Sequence, residues 1–229
     1  MKMNRLYPSR QQADKIFETV IQKRNATKYP FKPIWEAEFR KHCYAVACIA
    51  EKIAAFCPDL DTEKAYVLGL LHDSGRCIDE FAEHRFHANV GYEWMMSLGY
   101  DDVARICITH SFYDKNFDIK SFTQPYEDLL QCQAYLKNVT YNDYDLLLQL
   151  ADVLNDKGTT CSIEYRFASL ARRYNNPNLL IYVKHLCRIK SYFEHICGRD
   201  IYNLIGVNLN ESQISGSGHG RETLACGNS

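Results

Sequence analysis

Leu70-Leu71-His72-Asp73-Ser74-Gly75-Arg76 ends an apolar run with an imidazole and a carboxylate side by side, and then breaks at a glycine. The residues before it carry helical periodicity, so the His-Asp pair is expected at the C-terminal end of a helix. Imidazole nitrogens and carboxylate oxygens are ligands for Zn, Mn, Fe and Co. Working outward, the same residue types recur in order: His42 before the pair, then His87, His110 and Asp152 after it. Each falls on its own helical segment. The pattern points to a metal site among the central helices of a bundle, and so to metal-assisted chemistry.

The rest of the chain agrees with an all-α bundle. Helices are expected from the Ser9 cap to about Arg24, Trp35 to Phe56, Thr62 to His72 and His87 to Leu98. Others run from the Asp101 cap to near His110, then Tyr126 to Asn138, Asp143 to Asn155, Ile163 to Tyr174 and Asn178 to Cys197. Tyr29-Pro30-Phe31-Lys32-Pro33, Pro58-Asp59, Gly99 and Asn175-Asn176-Pro177 supply the breaks. No internal repeat and no β alternation shows. One domain is expected over residues 1–206. Residues 207–229, which include Ser215-Gly216-Ser217-Gly218-His219-Gly220-Arg221, read as a polar disordered tail. The stretch Ser111 to Pro125 is a long connection and a candidate substrate lid; the plain alternative is a surface loop.

Composition narrows the function class. The 229 residues carry 27 Lys and Arg against 28 Asp and Glu, so no basic footprint for nucleic acid exists. Lys23-Arg24 and Arg172-Arg173 read as solvated faces. No stretch approaches the roughly 18 apolar residues of a membrane span, and Met1-Lys2-Met3-Asn4-Arg5 has no apolar run behind it. The ten cysteines include no CxxC pair, and Cys43, Cys48, Cys107 and Cys187 lie in apolar helical stretches. They are expected as buried free thiols. These features imply a reduced, cytoplasmic protein without nucleic-acid or membrane partners.

Facing directions test the ligand reading. Positions three, four and seven apart share a helix face. His42 shares one with Phe39, Val46 and Ile49; His72 with Ala65, Leu68 and Leu71; His87 with Val90, Gly91 and Trp94; His110 with Val103, Ile106 and Cys107. Any one such histidine is more often a hydrogen-bonded core residue than a ligand. Four together, one of them followed by an aspartate, favour a metal that satisfies them all. Asp152 is weaker. Its stripe holds Asp145, Leu148, Asn155 and Asp156, which alone reads as a solvated face. His84 reads as an exposed loop residue, and His185 and His195 have no carboxylate company.

The order His, His-Asp, Asp on helices resembles the HD-domain superfamily of metal-dependent phosphohydrolases. His42, His72, Asp73 and Asp152 match its four defining positions. Ser9-Arg10-Gln11-Gln12-Ala13, Ala65-Tyr66-Val67-Leu68-Gly69-Leu70-Leu71-His72-Asp73 and Cys107-Ile108-Thr109-His110-Ser111-Phe112 look like an uncharacterised bacterial branch. The resemblance covers most of residues 8–205. The added pair His87 and His110 is similar to members holding two ions. It implies His42, His72, Asp73 and Asp152 around one ion, and Asp73, His87 and His110 around another. The implied cofactor is a divalent transition metal, Mn, Fe, Co or Zn, as one ion or two.

The implied function is hydrolysis of a small phosphorylated molecule, a nucleotide by first choice, through metal-activated water. Asp73 and Arg76 are the expected catalytic residues. Many relatives carry lysine where Arg76 stands. Arginine keeps the charge and can grip a phosphate with two N–H groups, but it holds its proton near neutral pH, so a clamp is expected and a general acid is not. The alternatives are a di-iron HD-fold oxygenase that cleaves a C–C or C–P bond with dioxygen, or a non-catalytic metal- or nucleotide-binding protein. A homo-oligomer is left open.

Overall fold

A computed structural model describes residues 6–28, 30–78, 85–122 and 125–207. His84 and nearly all of the expected tail therefore lie outside the described residues. The architecture is all-α, in the order α1 (Arg10–Asn25), α2 (Pro33–Ala54), α3 (Thr62–Leu71), α4 (His87–Ser97), α5 (Asp101–Thr109), α6 (Tyr126–Lys137), α7 (Asp143–Val153), α8 (Ile163–Tyr174), α9 (Ile181–Cys197) and α10 (Ile201–Ile205).

Local chemistry sets the helix starts. Ser9 accepts the Gln12 backbone N–H while the Gln12 side chain accepts from Ser9, a reciprocal cap for α1. Asp61 caps α3 by accepting from the Lys64 backbone, and Asn142 and Asp145 form a second reciprocal cap on α7.

The central element is α3. Every residue from Ala65 to Leu71 is buried, because α1, α2, α5 and α7 all pack on it. A helix apolar on all sides can only be enclosed. Gly69 allows the closest of these approaches. A Cβ there would come within 2.7 Å of the Ala47 Cα, so α2 and α3 meet backbone to backbone.

Apolar side chains form two clusters. The large one includes Phe17, Val46, Ile53, Leu68, Leu71, Leu148, Leu150 and Phe193. The small one comprises Phe86, Ala88, Ile108, Phe112, Phe117, Leu129, Cys132 and Leu136. The expected lid is tied to this small cluster. Within the described residues 111–122, Phe112 stacks on Phe117 at 4.4 Å, and its carbonyl accepts from Tyr141 at 2.6 Å and Gln149 at 3.0 Å.

Several boundaries differ from the sequence reading. α7 stops at Val153, and Asn155–Asp156 (β1) instead pairs antiparallel with Thr159–Thr160 (β2). Lys157 (φ 54°) and Gly158 (φ 88°) make the two-residue turn, both in the left-handed region that such hairpins require. The helix expected from Asn178 opens as a 3₁₀ turn at Pro177–Leu180 before α9 begins. The thiol expectation also needs correction. Cys187 is disulfide-bonded, Cys48 is exposed, and Cys48 is one of eight described cysteines that are free. Cys187 sits only half-buried on α9, so apolar neighbours in sequence did not translate into enclosure. No helix among the described residues is long and apolar enough to cross a membrane.

Candidate metal centre

Three helix C-terminal ends converge on one point. His72 is the C-terminal cap of α3, His110 is that of α5, and Asp152 lies in the last turn of α7. A helix C-terminus carries roughly half a negative charge, so the convergence favours a cation. His42 enters from the middle of α2, and His87 is the first residue of α4. Asp73 begins the 3₁₀ turn Ser74–Arg76. A Cβ on Gly75 would overlap the His87 carbonyl at 1.9 Å, so only glycine lets this turn press against α4 and bring Asp73 to His87.

All six residues singled out as ligands meet there. His42 Nε2 lies 3.3 Å from His72 Nε2, 3.7 Å from Asp73 Oδ2 and 3.3 Å from Asp152 Oδ1. His72 Nε2 lies 3.8 Å from Asp73 Oδ2 and 3.9 Å from Asp152 Oδ1. On the other side, Asp73 Oδ1 lies 3.2 Å from His87 Nε2 and 3.5 Å from His110 Nε2. The two groupings able to hold an ion, His42/His72/Asp73 and Asp73/His87/His110, share Asp73.

The tautomers are fixed from behind. His72 Nδ1–H donates to the Gly69 carbonyl at 2.7 Å, and His110 Nδ1–H to the Ile106 carbonyl at 2.8 Å. His42 Nδ1–H donates to Asn155 Oδ1 at 3.2 Å, an oxygen that also accepts the Gly158 N–H. Each Nε2 therefore presents a lone pair to the centre, and the hydrogen bond behind each ring orients it as metal-ligating histidines are oriented. The lone pairs of His42 and His72 face each other and two carboxylates. Among the described residues no protein donor faces either Nε2, and the buried Asp73 Oδ1 makes no hydrogen bond. A divalent cation resolves all of these mismatches, and the N/O donor set suits a transition metal. The residues present fit the group.

The charges fit as well. Burial lowers His72 to about 4, against the pull of Asp73, so the ring is neutral near pH 7. Burial and then Arg76 hold His87 well below the usual histidine range. Burial alone would raise Asp73, but Arg76 and His72 hold it well below the usual carboxylate range. Asp152 is lowered against its burial by His42 and then His72.

Three features went beyond the sequence reading. Asp152 does not lie on a solvated face, since its stripe partners Asp145 and Asn155 are fully buried. Asp145 is paired there with Arg105 and accepts from Thr109. Asn155, read as a helix end, is the residue that orients His42. Ser111 places its hydroxyl 2.9 Å from His110 Nε2 and 3.4 Å from His87 Nε2.

Arg76, expected as a phosphate clamp, turns back on the centre. Its Nε donates to Asp73 Oδ2 at 2.6 Å, and its Nη2 lies 3.3 Å from His87 Nε2, while 48% of the side chain stays exposed. His185 and His195 lie on α9, outside both ion-holding groupings.

A family model described as "HD domain" matches residues 39–155, a span containing all six candidate ligands. No curated protein and no solved structure matches the chain.

Proposed function

The chain belongs to the HD-domain family, and on that premise we propose that it is a metal-dependent phosphohydrolase acting on a small phosphorylated molecule, a nucleotide by first choice. The observation that carries the reading is the inward convergence of tautomer-fixed imidazoles on Asp73 and Asp152. His42, His72, Asp73 and Asp152 would hold one divalent ion, and Asp73, His87 and His110 offer a second position. An ion there supplies Lewis-acid chemistry, offsetting charge on phosphoryl oxygens and lowering the pKa of water.

The chain's own residues do the rest. Asp73 stays ionised and links the two positions. Arg76, anchored to it through Nε and about half exposed, holds a fixed positive charge at the mouth of the site. Its guanidinium suits a phosphate and keeps its proton, so it orients the substrate and offsets charge rather than donating a proton.

The test is a panel of nucleotides and other small phosphate esters, offered to protein loaded separately with Mn²⁺, Co²⁺, Zn²⁺ or Fe²⁺ without dioxygen. Phosphate or nucleoside release is expected, stopped by a chelator, restored by the ion and lost in Asp73→Asn. A silent panel together with substrate-dependent dioxygen uptake by iron-loaded protein would replace hydrolysis with oxygenase chemistry.

A further inference from the structure

The two ion positions differ in what already meets their imidazole nitrogens. At the first, no donor among the described residues meets His42 Nε2 or His72 Nε2. At the second, both imidazoles have a donor. Ser111 donates to His110 Nε2 at 2.9 Å and reaches within 3.4 Å of His87 Nε2. Arg76 Nη2 lies 3.3 Å from His87 Nε2, and its Nε anchors it on Asp73 Oδ2, the oxygen that faces His42 and His72, while Asp73 Oδ1 on the His87 side makes no hydrogen bond. The His110 tautomer makes the conflict sharp. Its Nδ1–H is committed to the Ile106 carbonyl, so Nε2 has a single lone pair, and that lone pair either accepts the Ser111 proton or binds a metal. The guanidinium is always protonated, so it competes with an ion for His87 in the same way and also neutralises part of the charge on Asp73.

We propose that Arg76 and Ser111 are internal occupants of the second ion position, so that the centre takes one divalent ion tightly and a second only by displacing them. The proposal rests on the metal-centre reading above and adds an order of filling to it. Arg76 then has a second role besides meeting substrate. It supplies at the second position a fixed cation that never dissociates. Ser111 tunes the same position through its hydroxyl. A bound ion and this hydrogen-bonded pair are alternatives at His87 and His110, and the balance between them is set by two side chains that are not ligands.

Calorimetric titration of metal-free protein with Mn²⁺, with elemental analysis of the ion retained after gel filtration, tests this without reference to turnover. Wild-type protein should bind one ion tightly and a second at least about 100-fold more weakly. Ser111→Ala and Arg76→Gln should each raise the second affinity about tenfold, with the first changed less than about threefold in Ser111→Ala and raised in Arg76→Gln, which also frees Asp73 Oδ2, and the double variant should retain close to two ions. His87→Ala should remove the second event in every background. Two equally tight ions in wild type, or a second affinity that stays level or falls in both Ser111→Ala and Arg76→Gln, overturns the proposal and leaves the metal centre standing. No ion bound by wild type at all overturns the metal-centre reading itself. Arg76→Gln keeps hydrogen-bonding capacity beside Asp73, and circular dichroism of each variant separates a folding defect from a change in affinity.

Discussion

The large apolar cluster and the small one hold their candidate ligands in different ways. His42, His72 and Asp152 stand on helices whose neighbours are the large cluster, and the groups behind the two imidazoles are the Gly69 carbonyl and the fully buried Asn155. His87 and His110 stand where α4 and α5 pass into the small cluster, between Phe86 and Ala88 and between Ile108 and Phe112. That side is tied down by polar clamps. Asp128 accepts from the Phe86 backbone at 2.6 Å and from Arg85 at 2.9 Å, and Asn89 donates to the Asp128 carbonyl. Apolar enclosure fixes one half of the centre, and a hydrogen-bond network positions the other. A rigid half suits a resident ion, and a hydrogen-bonded half suits exchange.

The sharpest way to break this comparison is to remove one ligand from each side. His72→Ala should lower the first Mn²⁺ affinity at least about 100-fold and take phosphate release with it, whereas His87→Ala should change that affinity by less than about threefold. Calorimetry on both variants reads the difference, and equal losses would erase it.

Acid stability gives the next largest effect. Burial lowers His72 from 6.5 to about 4, so the unfolded chain takes up this proton at a higher pH than the folded one. The stability of metal-free protein should be complete above 6.5, fall as pH drops through the window to about 4, and level off below it. The loss from this one ring is on the order of 3 kcal/mol, and His87, lowered for the same first reason, steepens it. Urea melts at about pH 7.5 and about pH 4.5 measure the slope, and a slope unchanged in His72→Gln would remove His72 as its source.

Asn155→Ala probes the support on the large-cluster side. It should weaken the first ion about 10- to 100-fold, the usual cost of losing such a partner, while Asp128→Asn, behind the other half, should leave that affinity within about threefold. A reversed order would put the rigid support on the wrong side. The smallest expected effect is Tyr141→Phe. It removes one hydrogen bond to the Phe112 carbonyl, which Gln149 still satisfies, and should cost about 1 kcal/mol in a urea melt. A loss several times larger would mean that the small cluster depends on that single bond.

The helices were legible because their apolar spacing and their breaks at proline, glycine and capping residues are local signals. The fold class and the positions of α1 to α9 follow from these. What escaped depended on partners far along the chain. Asp145 looked solvent-facing within its own helix, and only Arg105 and Thr109, 40 and 36 residues away, explain its burial. The hairpin after α7 escaped because its turn reads Lys157-Gly158, without the Asn-Gly or Asp-Gly that announces such turns. Asn155 therefore passed for a helix end, and its contact with His42 spans 113 residues. On α3 the face that His72 shares with Ala65, Leu68 and Leu71 could not be told from the others, because a helix buried all round has no polar face to set against it. The six ligand candidates were legible through residue type and order. Ser111 was quoted beside His110 but carried no ligand signal, since a serine next to a histidine is unremarkable in sequence.

The enclosure of α3 has a kinetic consequence. With Ala65 to Leu71 buried on every side, the amide protons of this segment should exchange with solvent only when the whole molecule unfolds. His72 rides on the end of that slowest element. The amides around Phe86 and His87, held by side-chain clamps beside an exposed Arg85–Glu93 pair, should exchange through smaller and more frequent openings. The His87 side of the centre would then open at a rate set by those local events and independent of the lifetime of the folded chain.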